Sequence, residues 1–335
     1  MPLYLKSEKT QSLPGSTYYS GSLLGQWAKP TGIYIPPIVD IEQGVVNVLL
    51  YLHGWYVSGI EQLFSTDRAA IRQQVLASGK NVVLVAPYLG NGHKGAGATF
   101  STSELKGHWG EMFLNQVLGA LAPMMGPEKY KPAAFESNLS LSGLARVGKI
   151  DAGLRLGSLI IACHSGGGTG MRHLVGSLGR YKSKLAECWG FDCLYGTAGA
   201  PNNDDAGFWY NWVTGSGGRP LYISYGSSTV PQSVKLYLMG QGLATGDGAR
   251  LDPKGAEVKR LDVKLGIKTA QNVNELMGLD ALLAPAPGGQ PLGNKFVEKA
   301  ASNLKSKAGW PEDLMAMHYA IAKDGLLERL KASGL

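Results

Sequence analysis

Short apolar runs punctuate the chain, and most of the gaps between them are long enough for a helix. Val45 to Leu52 (VVNVLLYL), Asn81 to Pro87 (NVVLVAP) and Leu159 to Ala162 (LIIA) are continuous rather than alternating. That pattern belongs to parallel strands buried on both faces. Trp189 to Tyr195 and Leu221 to Tyr225 predict two further strands, and Glu257 to Ile267 another. Helical patterning predicts a helix over about 168–184, helical material near 294–307, and a last amphipathic helix carrying Ile321, Leu326, Leu327 and Leu330. The first forty-odd residues, with Tyr18, Tyr19, Trp27, Tyr34 and paired prolines, read as an extra strand or hairpin laid against the sheet. Strands alternating with helices predict an α/β fold with a mostly parallel central sheet covered by helices on both faces.

The apolar run at 159–162 leads into Cys163-His164-Ser165 and then Gly166, Gly167 and Gly168. A serine leaving a strand through a glycine-walled turn into a helix has an uncrowded hydroxyl. The next backbone N–H groups point the same way, at the positive end of the helix dipole. A nucleophile and an oxyanion donor then sit side by side. The usual pattern is G-x-S-x-G; here Cys163 takes the first glycine position and Gly167 the last. A phosphate-binding turn fits less well, because no G-x-x-x-x-G-K-[ST] is present and the glycines follow the serine. Cys163 itself falls inside the strand, before the turn exposes a side chain. Upstream, the strand ending at Leu52 runs into His53-Gly54-Trp55. Glycine there lets a backbone N–H turn toward developing negative charge. Gly166 and Gly54 or Trp55 are the expected oxyanion donors, at the carboxyl ends of strands, where open α/β sheets bind ligands.

With His-Gly, Cys-His-Ser-Gly-Gly-Gly and a late histidine in place, the chain resembles the α/β-hydrolase family over roughly residues 45–230 and the C-terminal histidine region. The resemblance implies a Ser…Asp/Glu…His triad in that chain order. Two histidines lie downstream of Ser165, His173 and His318. His173 sits in the helix after the serine and points along it. His318 stands just before the last helix, where the family keeps its general base, and imidazole chemistry suits a proton shuttle at neutral pH. The expected acid is Asp192, in Phe-Asp-Cys-Leu-Tyr-Gly, which resembles a Leu-Asp-Ala-Leu-Tyr-Gly stretch of certain bacterial members. The more usual place, after the next strand, reads Tyr225-Gly226-Ser227-Ser228-Thr229 and holds no carboxylate. Asp204 and Asp205 are the competitors, in a polar loop that also suits a turn or a helix cap. The resemblance implies hydrolysis of a carboxylic ester through an acyl-enzyme, with no cofactor. Amide or peptide cleavage by the same residues is the alternative, and a non-catalytic binding protein on this fold is a third reading.

Composition sets outer limits. The 335 residues with 44% hydrophobic content are expected to form one domain, with an N-terminal extension over 1–44 and insertions over 88–112 and 229–317. The later insertion is expected to cap the pocket; the earlier one offers His93, His108 and Trp109 as substrate contacts, beside His53 and His164 at the strand ends. A net charge of +7 is scattered and interleaved with acids, so nucleic acid is not an expected partner. No run of eighteen apolar residues predicts a membrane span. The N-terminus lacks the apolar core of a signal peptide, which leans toward the cytoplasm. The three cysteines are expected as free thiols, and no Cys/His cluster has zinc spacing.

Overall fold

A computed structural model describes residues 6–7, 13–20, 30–40, 44–55, 57–65, 69–91, 100–125, 154–195, 204–215, 220–225, 229, 232–233, 236, 256–260 and 314–335. The chain divides into two compact units, Met1–Ala186 with Leu326–Leu335, and Glu187–Gly325.

In the first unit the strands are β1 (Lys6–Ser7), β2 (Ser16–Ser20), β3 (Thr31–Ile35), β4 (Val45–Leu52), β5 (Val83–Pro87) and β6 (Arg155–His164), in the order β1-β2-β3-β5-β4-β6. The three N-terminal strands pair antiparallel in succession, and β3 joins β5 antiparallel. β5, β4 and β6 run parallel. The N-terminal residues thus supply an antiparallel flank to a parallel core. In β4, Val48, Leu49 and Leu50 are each 0% exposed although successive side chains point to opposite faces. Both faces of the strand are therefore covered there, which is why its sequence is continuously apolar from Val48 to Leu52. Helices α1 (Ile60–Leu63), α2 (Ile71–Ser78) and α3 (Trp109–Met125) fall between these strands, and α4 (Gly167–Val175) follows β6.

In the second unit β7 (Leu185–Phe191, beginning just before the division), β8 (Leu221–Tyr225) and β9 (Ala256–Arg260) pair parallel in that order. Helix α5 (Asp205–Gly215) separates β7 from β8, and α6 (Leu314–Ala332), which from Leu326 onward belongs to the first unit, is the last described helix. Parallel strands alternating with helices, an antiparallel N-terminal flank, and a serine at the β6–α4 turn make this an α/β-hydrolase fold, as expected.

Several boundaries differ from the sequence expectation for local reasons. β7 ends at Phe191 rather than near 195, because Asp192 takes a left-handed φ of 46° and the pleat cannot continue through it. The helix expected over 168–184 stops at Val175, and Gly179–Lys184 is a separate 3-10 stretch that begins at a left-handed Gly179. His318 lies inside α6, at its fifth residue, rather than on the loop before it. Pro311-Glu312-Asp313 is a helix-start signature, with proline and acids before the first turn, and points to that earlier beginning. The expected strand 257–267 is described only as β9; its remainder, the helical material near 294–307, His93 and most of the 229–317 insertion lie outside the described residues. Among the described residues no helix is long and apolar enough to cross a membrane. Cys163, Cys188 and Cys193 are buried and form no disulfide.

Candidate active site

β6 delivers Ser165 one residue beyond its end, and α4 begins two residues after it. Ser165 adopts φ 55°, a left-handed conformation that costs a non-glycine residue about 1–3 kcal/mol. The turn is closed by the Gly168 N–H donating to the Ser165 carbonyl at 3.0 Å. Helix α4 starts this tightly because Gly167 has no side chain. A carbon placed there would stand 2.3 Å from the Leu52 carbonyl oxygen at the end of β4. The result is a sharp strand–serine–helix elbow with a half-buried hydroxyl-bearing residue at its apex.

The His53-Gly54-Trp55 turn lies against that elbow. A side-chain carbon on Gly54 would fall 2.4 Å from Ser165 Cβ and 2.8 Å from its Oγ, so no other residue fits. His53 holds the turn in place. The Leu89 N–H donates to its Nε2 at 2.7 Å, which leaves Nδ1 to carry the proton and donate to the Gly54 carbonyl at 2.5 Å. In a trans peptide, fixing that carbonyl fixes the opposed N–H of Trp55. His53 therefore acts on the backbone, with both ring nitrogens engaged. His164 is buried at the last position of β6.

The other described residues read from the sequence in this unit lie on or just before α3 and on α4. Trp109 opens α3 and stacks on Phe113 with ring centroids 4.5 Å apart. His173, in α4, donates through Nδ1 to the Thr102 carbonyl, 2.9 Å away, because a carbonyl only accepts. Burial, with Lys106 and Arg172 nearby, pushes the His173 pKa below the ordinary histidine value against the raising effect of that bond. His108 is exposed.

In the second unit the structure brings Asp192 and His318 together. The His318 Nδ1 and Asp192 Oδ2 are 2.6 Å apart, and both residues are buried. Asp192 immediately follows β7, its N–H donating to the Ser224 carbonyl of β8 at 2.7 Å. Its second carboxylate oxygen accepts the Thr229 hydroxyl at 2.5 Å, and Thr229 is itself 1% exposed. Asp204 has a different task. Its carboxylate accepts the Gly207 N–H at 3.1 Å at the start of α5, an N-cap arrangement. Asp205 is the first residue of that helix.

Sequence reasoning passed over Thr229. It stands four residues beyond β8, in the stretch noted only for lacking a carboxylate, and its hydroxyl supports the carboxylate at the end of β7 instead. Phe100 was also passed over, and no local pattern marks it. Ser165 and Asp192 are two of three non-glycine residues with positive φ among those described; the third, Ala70, precedes α2. Such outliers persist where surrounding structure over-determines them, and they gather at functional sites.

No protein-family model and no curated protein matches the sequence. Solved structures to which the chain is similar include an S-formylglutathione hydrolase from Agrobacterium tumefaciens, at 13% identity, covering 78% of this chain and 90% of that one, with a TM-score of 0.41. A ferulic acid esterase matches at 12% identity over 75% of this chain and 91% of its own, with a TM-score of 0.46. An arylesterase matches at 11% identity over 88% and 86%, with a TM-score of 0.39. Function rests on the chemistry of the site itself.

Proposed function

We propose that the chain is a serine hydrolase cleaving a carboxylic ester, with Ser165 as nucleophile, His318 as general base and acid, and Asp192 as the group that orients the histidine. The observation that carries this reading is the backbone of Ser165: a left-handed serine between a buried strand and a glycine-walled helix, with Gly54 pressed against its side chain. In the proposed reaction His318 Nε2 takes the proton of Ser165 Oγ as the oxygen attacks the ester carbonyl. The backbone N–H groups of Gly166 and of Gly54 or Trp55 hold the resulting oxyanion. His318 then protonates the leaving alcohol, and water, activated by the same imidazole, clears the acyl-enzyme. Asp192 keeps the proton of the neutral imidazole on Nδ1 and steadies the imidazolium without being protonated. The buried His318–Asp192 hydrogen bond supports that division of labour.

Labelling with a fluorophosphonate probe, followed by peptide mapping, tests the proposal together with turnover of short p-nitrophenyl esters. The expected result is covalent modification of Ser165 and ester turnover, both lost in Ser165→Ala and strongly reduced in His318→Ala. Labelling elsewhere, or undiminished turnover in Ser165→Ala, would overturn the assignment.

A further inference from the structure

Two backbone segments are proposed to hold the oxyanion, the His53-Gly54-Trp55 turn and Gly166, and one side chain lies against both. The Phe100 ring meets the His53 ring with centroids 6.0 Å apart at 74°, and the Trp55 ring with centroids 6.0 Å apart at 61°. Its Cζ stands 3.3 Å from where a side-chain carbon on Gly166 would be. The backbone behind the ring is pinned. The Phe100 N–H donates to the Asn91 carbonyl at 3.0 Å, and the Ser101 N–H to the Leu89 carbonyl at 2.9 Å. Leu89 in turn donates its N–H to His53 Nε2 at 2.7 Å, so the residues following β5 anchor both the ring and the histidine beside it. Phe100 is half-buried, whereas Phe64 and Phe113 are fully covered in the core.

We infer that Phe100 is a positioning residue of the proposed ester hydrolysis, its ring bracing the two oxyanion segments against each other. The inference rests on the proposed Ser165 chemistry, since it assigns a further residue to that site. Donors stabilise a developing oxyanion only if they are held in place before the charge appears. Glycine permits the close approach in both segments, yet it is also the residue with the freest backbone. Gly54 has no side chain to pack, and Gly166, Gly167 and Gly168 follow the serine in succession. Rigidity must therefore come from neighbours. His53 supplies it within the turn by hydrogen bonds, and Phe100 supplies it between the turn and Gly166 by filling the space that adjoins both. Removing the ring leaves a void into which either segment can relax. A displacement of about 1 Å at a reacting centre costs on the order of 100-fold, so partial relaxation is enough to register in kcat. A ring that served only as a wall for the acyl group would change KM and chain-length preference instead.

The test is steady-state kinetics of Phe100 variants on p-nitrophenyl acetate and p-nitrophenyl butyrate, with benzeneboronic acid as a probe of the tetrahedral state. Phe100→Ala is expected to lower kcat by about tenfold or more on both esters alike, with KM within about threefold of the parent. The boronic acid forms a tetrahedral adduct with the serine and places an oxygen where the oxyanion sits, so its inhibition should weaken by about the same factor. Phe100→Leu keeps bulk near His53 and Trp55 but not the reach to Gly166. Its kcat should fall about fivefold, and it carries the test alone if Phe100→Ala does not fold. Phe100→Met, unbranched and of comparable reach, should stay within about threefold of the parent. Phe113→Leu is the control, since that ring is 0% exposed on α3; it should lower the thermal transition and leave kcat unchanged. A folded Phe100→Ala protein with parental kcat, a loss confined to KM or to one ester, or unchanged boronic acid inhibition would each overturn the positioning role while leaving the hydrolase reading in place. A parent that turns over neither ester would end the ester-hydrolase reading, and the role of Phe100 with it.

Discussion

Replacing Gly54 with alanine adds one methyl group at the point where the structure has no room for it. The new carbon would lie 2.4 Å from Ser165 Cβ, 2.8 Å from Oγ and 3.1 Å from the His164 carbonyl oxygen. Carbon atoms in contact prefer about 3.5–4.0 Å, so the two segments must separate by roughly 1 Å or more. Neither side yields easily. Ser165 already holds a left-handed φ of 55°, and the His53 ring ties the other segment to Leu89 and to the Gly54 carbonyl. Overpacking of this kind costs about 1–3 kcal/mol of stability, a loss that a domain of this size tolerates. The catalytic cost is larger. A displacement near 1 Å at the reacting centre costs on the order of 100-fold, and loss of one oxyanion donor on the order of 100–1000-fold. Gly54→Ala is therefore expected to lower kcat by at least about 100-fold while KM changes little and the thermal transition falls only a few degrees. Gly215→Ala is the control, because nothing stands within 4 Å of a carbon placed there. Steady-state kinetics on a p-nitrophenyl ester, beside a thermal melt of each variant, make the measurement. A folded Gly54→Ala protein with kcat within threefold of the parent would refute the proposed role of Ser165 and of this turn beside it.

Other expectations follow from the second unit and from α4. Asp192→Asn keeps the volume and tolerates the left-handed backbone, so the fold should persist while kcat falls by about 1000–10,000-fold through loss of the histidine's orientation; activity near the parental level would return the choice of acid to Asp204 or Asp205. Thr229→Val removes the hydroxyl that supports Asp192 and is expected to lower kcat about tenfold, with Thr229→Ser close to the parent. In an Asp192→Asn background the same change should add little, and additive losses would show that Thr229 acts elsewhere. His173 has its folded pKa below the unfolded value, so the unfolded chain takes up the proton first and stability drops as pH falls below the unfolded histidine value. Denaturant titrations from pH 7.5 to 5 should therefore show a shallower acid loss in His173→Asn than in the parent, and parallel curves would contradict the burial argument.

The division between local and non-local information runs through this chain visibly. Val48 to Leu52 and Leu159 to Ala162 are legible as strands because burial on both faces leaves no polar position in those runs. The elbow is legible because a turn that tight is built from contiguous residues, and so is the His53-Gly54-Trp55 turn that ends β4. Boundaries were less so: the end of β7 depends on Asp192 taking positive φ, which the hydrogen bond from Thr229 and the contact with His318 help to impose. Which carboxylate meets which imidazole is a matter of chain folding across 126 residues, and three aspartates looked plausible until the distances separated them. Thr229, Phe100 and the inward-facing nitrogens of His53 carry no sequence mark at all, because their meaning is the partner they touch. Sequence alone determined the strands and the serine turn, since hydrophobic period and glycine geometry act over a few neighbouring residues. Only the tertiary structure decided the histidine's partner and the ring contacts of Phe100, since hydrogen bonds and ring contacts depend on proximity in space rather than along the chain.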